Sequence, residues 1–314
     1  MAVIRNTASM MLKGRVGATT YYVAETRQLA RQAMNNSNYG ESASRTDSQQ
    51  NRRVRWSNLV NFYSGNKAWM PKAYENLKPG VSIFNRFMQL NINNSDVALT
   101  KSEAMSKIWV PATYRVSQGS LNPLFGSFVN EMPGIELEGS LTISGTTTVA
   151  QFSKALIDAN PAFLAGDAIV FVAFSGADGA PGSADGMRPA TYRYQELVLD
   201  LNDETVFGTK YPHFNYNEGM LFNDEGDGAQ AAVFIHTRKN SGKLLVSTQD
   251  IFLNNDQTTN YNAWRSEGQF AKAIASYGES TSVPLTPGGT VEVIGGGGSS
   301  GGGGGNEDDG DLGN

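Results

Sequence analysis

The chain has 314 residues, 39% of them hydrophobic, no cysteine and a formal net charge of −5. That length suits one large domain or two smaller ones, able to bury roughly 75% of the unfolded surface. The missing cysteine excludes disulfides, thiolate nucleophiles and cysteine-ligated metal centres, and the acidic balance argues against attraction of the whole molecule to nucleic acid or an anionic membrane.

In chain order, Gly14-Arg15-Val16-Gly17 followed by the β-prone run Thr19 to Val23 predicts a hairpin. Residues 34–46, rich in Asn and Ser and containing Tyr39, lack periodicity and read as a polar arm. Thr46 and Gln49 have the spacing of a capping box. Beyond them Trp56, Leu59, Val60 and Tyr63 fall at i, i+3, i+4 and i+7, a helical stripe ending near Gly65-Asn66. Ile83, Phe84, Phe87 and Leu90 mark a second amphipathic helix. From Ile108 to Val116 the period changes to two, which predicts a strand, bulged or at an edge because of Pro111. Further strands are expected over 135–143, 167–174 and 192–201, with a short helix from Thr148 to about Asp158. The run Ala231 to Thr248, broken by Lys239-Asn240-Ser241-Gly242, is the clearest hairpin. A helix over 263–277 is weakened by Gly268, and a last strand is expected at 290–294. Residues 295–305 are Gly and Ser only, a linker with nothing to pack.

These elements predict an α+β fold. An N-terminal part comprising hairpin, polar arm and helices (1–104) is attached to an antiparallel, β-sandwich-like domain with short helices (105–284). A disordered, Gly-rich acidic tail (285–314) follows.

The candidate chemistry is thin. His213 and His236 show no metal-ligand spacing and read as structural. Asp224 to Gly228 and Asp178 to Gly186 resemble calcium loops but lack the terminal bidentate Glu, so solvated turns are the better reading. Gly14 to Gly17 is no phosphate loop, and no GxSxG elbow occurs. No catalytic, cofactor or metal residues are assigned, and no enzyme activity is expected. Charge is more informative. Residues 1–60 hold nine Lys/Arg against three acids, and Arg52, Arg53 and Arg55 cluster beside Trp56. That cluster suits phosphate contact with base stacking. The alternative is a solvated helix face with Trp56 in the core, favoured by the continuity of the stripe. At the other end Glu307, Asp308, Asp309 and Asp311 form an acidic tip on the glycine tether. It looks like the tail of single-strand-binding proteins but lacks their hydrophobic terminus.

One resemblance stands out. The segments Gly14-Arg15-Val16-Gly17, Arg53-Val54-Arg55-Trp56, Phe84-Asn85-Arg86-Phe87 and Val116-Ser117-Gln118-Gly119-Ser120-Leu121, with the hairpin at 232–247, resemble a protein family of Bacteroidetes and their phages, crAss-like phages included. The match spans roughly residues 13–253. The family has no established activity to carry over, and its occurrence in phages implies a virion component. The expectation is therefore a structural protein of a tailed phage, a ring or connector component of the tail or portal region. It would be made in the host cytoplasm, form a homo-oligomer through extended arms and contact other virion proteins. A single-stranded nucleic-acid-binding accessory role is the alternative. No membrane association is expected, because no run approaches the ~20 apolar residues of a span and the first residues lack a secretory apolar core.

Overall fold

The computed structural model describes residues 2–3, 14–16, 19–24, 27–32, 47–75, 77–78, 80–139, 142–175, 190–217, 219–254 and 262–277. The polar arm at 34–46 with Tyr39, the Thr46 cap, the loop at 176–189, the strand expected at 290–294 and the acidic tail all lie outside these residues.

The centre of the molecule is an antiparallel sheet of β8 (Ala168–Ser175), β9 (Thr191–Val198), β12 (Ala231–Asn240), β13 (Lys243–Val246) and β15 (Phe252–Leu253). Its strand order is β13-β12-β8-β9, with β15 also paired to β12. Strand β8 is buried along all but its last residue. The reason is that each face of the sheet supports its own core. Val170, Val172, Phe174, Val233 and Ile235 enter one cluster, while Ile169, Phe171, Ala173, Ala232 and Phe234 enter another. Residues alternate between faces along a strand, so an uninterrupted apolar run is what a two-sided central strand requires.

Helices cover the first face. They are α1 (Asp47–Asn66), α2 (Ile83–Asn91) and α3 (Lys101–Met105); α6 (Glu267–Ser276) packs on α1 and α3 instead, its Phe270, Ala273 and Ile274 clustering with Val54 and Ala98. Phe62 of α1 is the hub, in ring contact with Phe87, Trp109, Tyr114 and Phe174. The second face packs on a smaller sheet, ordered β10-β11-β7-β6. Its strands are β6 (Gly126–Val129), β7 (Met132–Glu136), β10 (Phe214–Asn217) and β11 (Met220–Asn223). Helices α4 (Val149–Ala159) and α5 (Phe207–Lys210) complete that layer. The fold is α+β with the two antiparallel sheets facing each other, and α1 and α2 share a core cluster with the first face of the central sheet. None of the described helices is long and apolar enough to cross a membrane.

Local signals explain several boundaries. Thr148 and Gln151 form a reciprocal capping box that starts α4, and Thr100 with Glu103 does the same for α3. The β12–β13 turn places Ser241 at φ 48° and Gly242 at φ 80°. Two successive positive φ values are the mark of the tight turn whose twist matches a hairpin, and glycine accepts them without strain.

Two expectations need correction. The strand predicted from Ile108 to Val116 is confined to β5 (Arg115–Ser117), which pairs with β14 (Gln249–Asp250). Residues Ile108 to Ala112 are consecutively buried and belong to no ladder, so their alternation did not report a strand. The strand expected over 135–143 instead occupies Met132–Glu136.

What replaces the missing ladder is a set of asparagines. Asn58, fully buried on α1, accepts from the Val110 N–H at 2.9 Å and donates to the Val110 carbonyl at 2.9 Å. Asn91, the last residue of α2, binds the N–H and the carbonyl of Arg115 at 2.7 and 2.9 Å. Asn160, capping α4, does the same to Glu138 at 2.9 and 2.6 Å. A primary amide offers a donor and an acceptor side by side, the pattern a neighbouring strand would present. Buried backbone must be paired somewhere, and here helix side chains pair it. Asn61 adds bonds to the Ala104 and Ile108 carbonyls.

The segment Ser117 to Leu121 is held on both sides. Ser117 donates to the Ser247 carbonyl, and the Leu121 N–H donates to the Val246 carbonyl. The Glu75 carboxylate accepts from the Ser120 N–H and hydroxyl and from the Val246 N–H. A Cβ at Gly119 would collide with the Val246 carbonyl, so this motif closes the body together.

Outside the body lies a four-stranded antiparallel sheet of β1 (Ala2–Val3), β2 (Gly14–Val16), β3 (Thr19–Ala24) and β4 (Arg27–Gln32), ordered β1-β4-β3-β2. The predicted hairpin is its β2–β3 part. These strands contact one another extensively, and no other described element packs extensively against them.

Candidate functional site

Three places carry polar or exposed groups that folding alone does not explain. The first is the outer face of α1. Arg52 and Arg53 are exposed, and Trp56, one turn further on, is 46% exposed with its ring edge-on to Phe84 at 6.4 Å. The expectation that Trp56 sits in the core is corrected. The buried face of α1 is Val54, Asn58, Leu59, Asn61, Phe62 and Asn66. Three of those six are asparagines, so an apolar stripe drawn through the sequence is rotated away from the true inward face. The other three tryptophans, Trp69, Trp109 and Trp264, are buried. Arg55 points differently from its neighbours. Its Nε donates to Asn51 Oδ1 at 2.9 Å. Burial lowers its pKa while Asp96 opposes the shift. Asp96 in turn pairs with Arg265. Burial nevertheless pushes the Asp96 carboxyl above its usual range, outweighing Arg265 and Arg55. The predicted basic cluster thus divides into two surface arginines and one that belongs to the body.

The second place is a buried cluster at the end of β12. His236 and Arg238 are two apart on the strand and share a face. Both reach Asp167, which leads into β8 and is 1% exposed. His236 Nε2 lies 2.8 Å from Asp167 Oδ2. Arg238 donates to both carboxylate oxygens at 2.7 Å and to the Ala162 carbonyl at 2.7 Å. The Leu164 N–H donates to Asp167 at 2.8 Å. Burial raises the Asp167 pKa, but the bonds from Arg238, His236 and Leu164 prevail and hold it below its usual range. The Asp167 contact uses only one of the two imidazole nitrogens, Nε2. Nδ1 is buried and has no hydrogen-bond partner. The ring rests on Phe163, centroids 4.4 Å apart.

His236 and Phe163 line an open cleft of about 720 Å³. Glu136, Glu138, Asn160 and Met220 form its walls, with Phe125 at the rim. Phe125 is 75% exposed, and Glu136 and Glu138 are both exposed. Neither carboxylate is paired with a cation among the described residues, whereas Asp158, Asp203 and Asp250 are paired with Lys154, Lys210 and Arg115. The cleft therefore offers two unpaired carboxylates and an exposed aromatic ring, a combination suited to a cationic group.

The third place is His213, between Asp224 Oδ1 at 2.8 Å and Glu225 Oε1 at 3.2 Å. The acidic turn read as a solvated loop is a short 3-10 segment, Asp224–Gly226, that holds this histidine. No group of three or more His, Asp or Glu placed to hold a metal occurs among the described residues.

Sequence reasoning found Arg52 and Arg53 but missed Asp167, Arg238, Glu136, Glu138 and Phe125. The i, i+2 spacing of His236 and Arg238 was legible; their partner 69 residues earlier in the chain was not. Tyr39, Glu307, Asp308, Asp309 and Asp311 lie outside the described residues. No protein-family model, curated protein or solved structure matches this chain.

Proposed function

We propose that this protein is a structural subunit of a phage particle, a ring or connector component that assembles with copies of itself. The observation that carries the reading is the four-stranded sheet outside a body that already has a complete core. A single-layer sheet needs a covering layer to be stable, and a neighbouring subunit is one source of that layer. The resemblance to phage proteins adds the particle. Light-scattering mass across protein concentration tests it. A discrete oligomer growing with concentration supports the reading; a monomer throughout, together with absence from purified virions by mass spectrometry, removes it.

Exposure of Trp56 beside Arg52 and Arg53 favours a second reading, binding of single-stranded nucleic acid. Stacking of a base on an aromatic ring is worth ~1–3 kcal/mol, and phosphate contacts make binding fall with salt. Because the other tryptophans are buried, fluorescence quenching by an oligonucleotide would report on Trp56. Binding should weaken in Arg52→Ala with Arg53→Ala and strengthen when residues 306–314 are deleted. No quenching at low salt ends this reading.

A further inference from the structure

We infer that the cleft lined by Glu136, Glu138 and His236 receives the basic N-terminal sheet of a second copy of this chain. This rests on the assembly reading above and adds to it both the donor segment and the acceptor site.

The donor side follows from register. In the outer sheet Arg15 pairs with Thr20, Thr20 with Arg31, Tyr22 with Leu29 and Ala24 with Arg27. Directly paired residues share a face, as do residues two apart on a strand. The register positions of Arg15, Arg27 and Arg31 therefore all fall in one class, together with Tyr22 and Leu29. Residues 1–46 carry six Lys/Arg and two acids, and the rest of the chain is net acidic. The outer sheet thus has a basic class of positions and no extensive packing on its own body.

The acceptor side is the cleft. Glu136 and Glu138 are exposed and lack cation partners among the described residues, unlike Asp158, Asp203 and Asp250. Phe125, at 75% exposure the most exposed of the large apolar side chains, stands at the rim. At the floor His236 is 1% exposed with Nδ1 unpartnered. Unpaired buried polar atoms are uncommon because each forfeits a hydrogen bond. A guanidinium carries five N–H donors and no acceptor, so an arginine entering the cleft can meet the Glu136 or Glu138 carboxylate. Asp167, itself held by Arg238, acts here as a positioning residue that holds the imidazole in place.

The test uses the full chain with Phe125 replaced by the photocrosslinker p-benzoylphenylalanine, in an equal mixture of isotopically light and heavy protein. The expected products join position 125 of one copy to a peptide within residues 1–46 of the other. In parallel, Glu136→Lys with Glu138→Lys should weaken association by at least about tenfold, as removal of complementary interface charge does. Both positions are exposed, so the denaturation midpoint should hold and separate this effect from misfolding. Crosslinks confined to a single copy overturn the inference, because the sheet then covers its own body. Association with crosslinks to other segments, or unchanged by the double substitution, overturns the inference and leaves the assembly reading standing. Absence of association overturns both.

Discussion

Replacing Asn58 by alanine removes the one hydrogen-bond partner that the backbone of Val110 has among the described residues. Asn58 and Val110 are 0% and 1% exposed, so water does not take over. The change strands the Val110 N–H and carbonyl, each bound at 2.9 Å, and takes one donor from the Tyr114 hydroxyl at 2.7 Å. A buried group left unpaired costs ~1–3 kcal/mol, so two backbone groups cost about 2–6 kcal/mol. Tyr114 keeps its contact with Ser95 and adds little. The expected loss is about 4 kcal/mol, a large share of the ~5–15 kcal/mol that stabilises a typical domain. Urea denaturation followed by tryptophan fluorescence measures it as a lower midpoint with an unchanged slope. Asn91→Ala is the internal comparison. It removes the same pair of bonds from Arg115, but the Arg115 carbonyl keeps the Tyr74 hydroxyl at 3.3 Å, so only the N–H is stranded and the loss should be about half as large. A loss below about 1 kcal/mol for Asn58→Ala, or equal losses for both variants, would refute the claim that these amides stand in for a missing strand.

Asp167→Asn should destabilise by about 3–5 kcal/mol at neutral pH, because it leaves His236 and Arg238 without their shared anion. The Asp167 pKa is held low in the fold, so its contribution is present above the unfolded value of about 3.9 and is lost as pH falls through the folded value. The variant should therefore show a shallower acid limb in a stability-against-pH series, and a parallel limb would contradict the assignment. Asp96→Asn should cost less than Asp167→Asn at neutral pH, since burial already opposes the Asp96 charge; chemical denaturation ranks the two. Gly119→Ala should cost ~1–3 kcal/mol by forcing apart the Ser117–Leu121 segment and the Val246 backbone, read as a lowered melting temperature. Arg52→Ala should change stability by no more than about 0.5 kcal/mol because the side chain is exposed, and a larger effect would show that it belongs to the body.

Much of the body was legible from residue order. The apolar run at 167–174, the short helix opening at Thr148 and the turn at 239–242 each act locally, and each appears where expected. The α2 stripe also held, with Phe87 buried at its centre. The stripe on α1 misled because Asn58, Asn61 and Asn66 occupy the inward face, and periodicity scores asparagine as solvent-seeking. The alternation over 108–116 misled for the matching reason: residues 108–112 are consecutively buried, and the backbone of Ile108 and Val110 is paired by side chains from a helix about fifty residues earlier.

By itself, then, the sequence determined the α+β class, the strand over 167–174, the hairpins and the concentration of positive charge before residue 60. The tertiary structure alone decided which face of α1 points inward, that Trp56 is exposed, and that Asp167, His236 and Arg238 meet beneath a cleft walled by Glu136 and Glu138. Local backbone preferences and periodicity act within a few residues. Pairing of a buried polar group depends on what packing brings to it from distant parts of the chain, and that is settled only when the layers close.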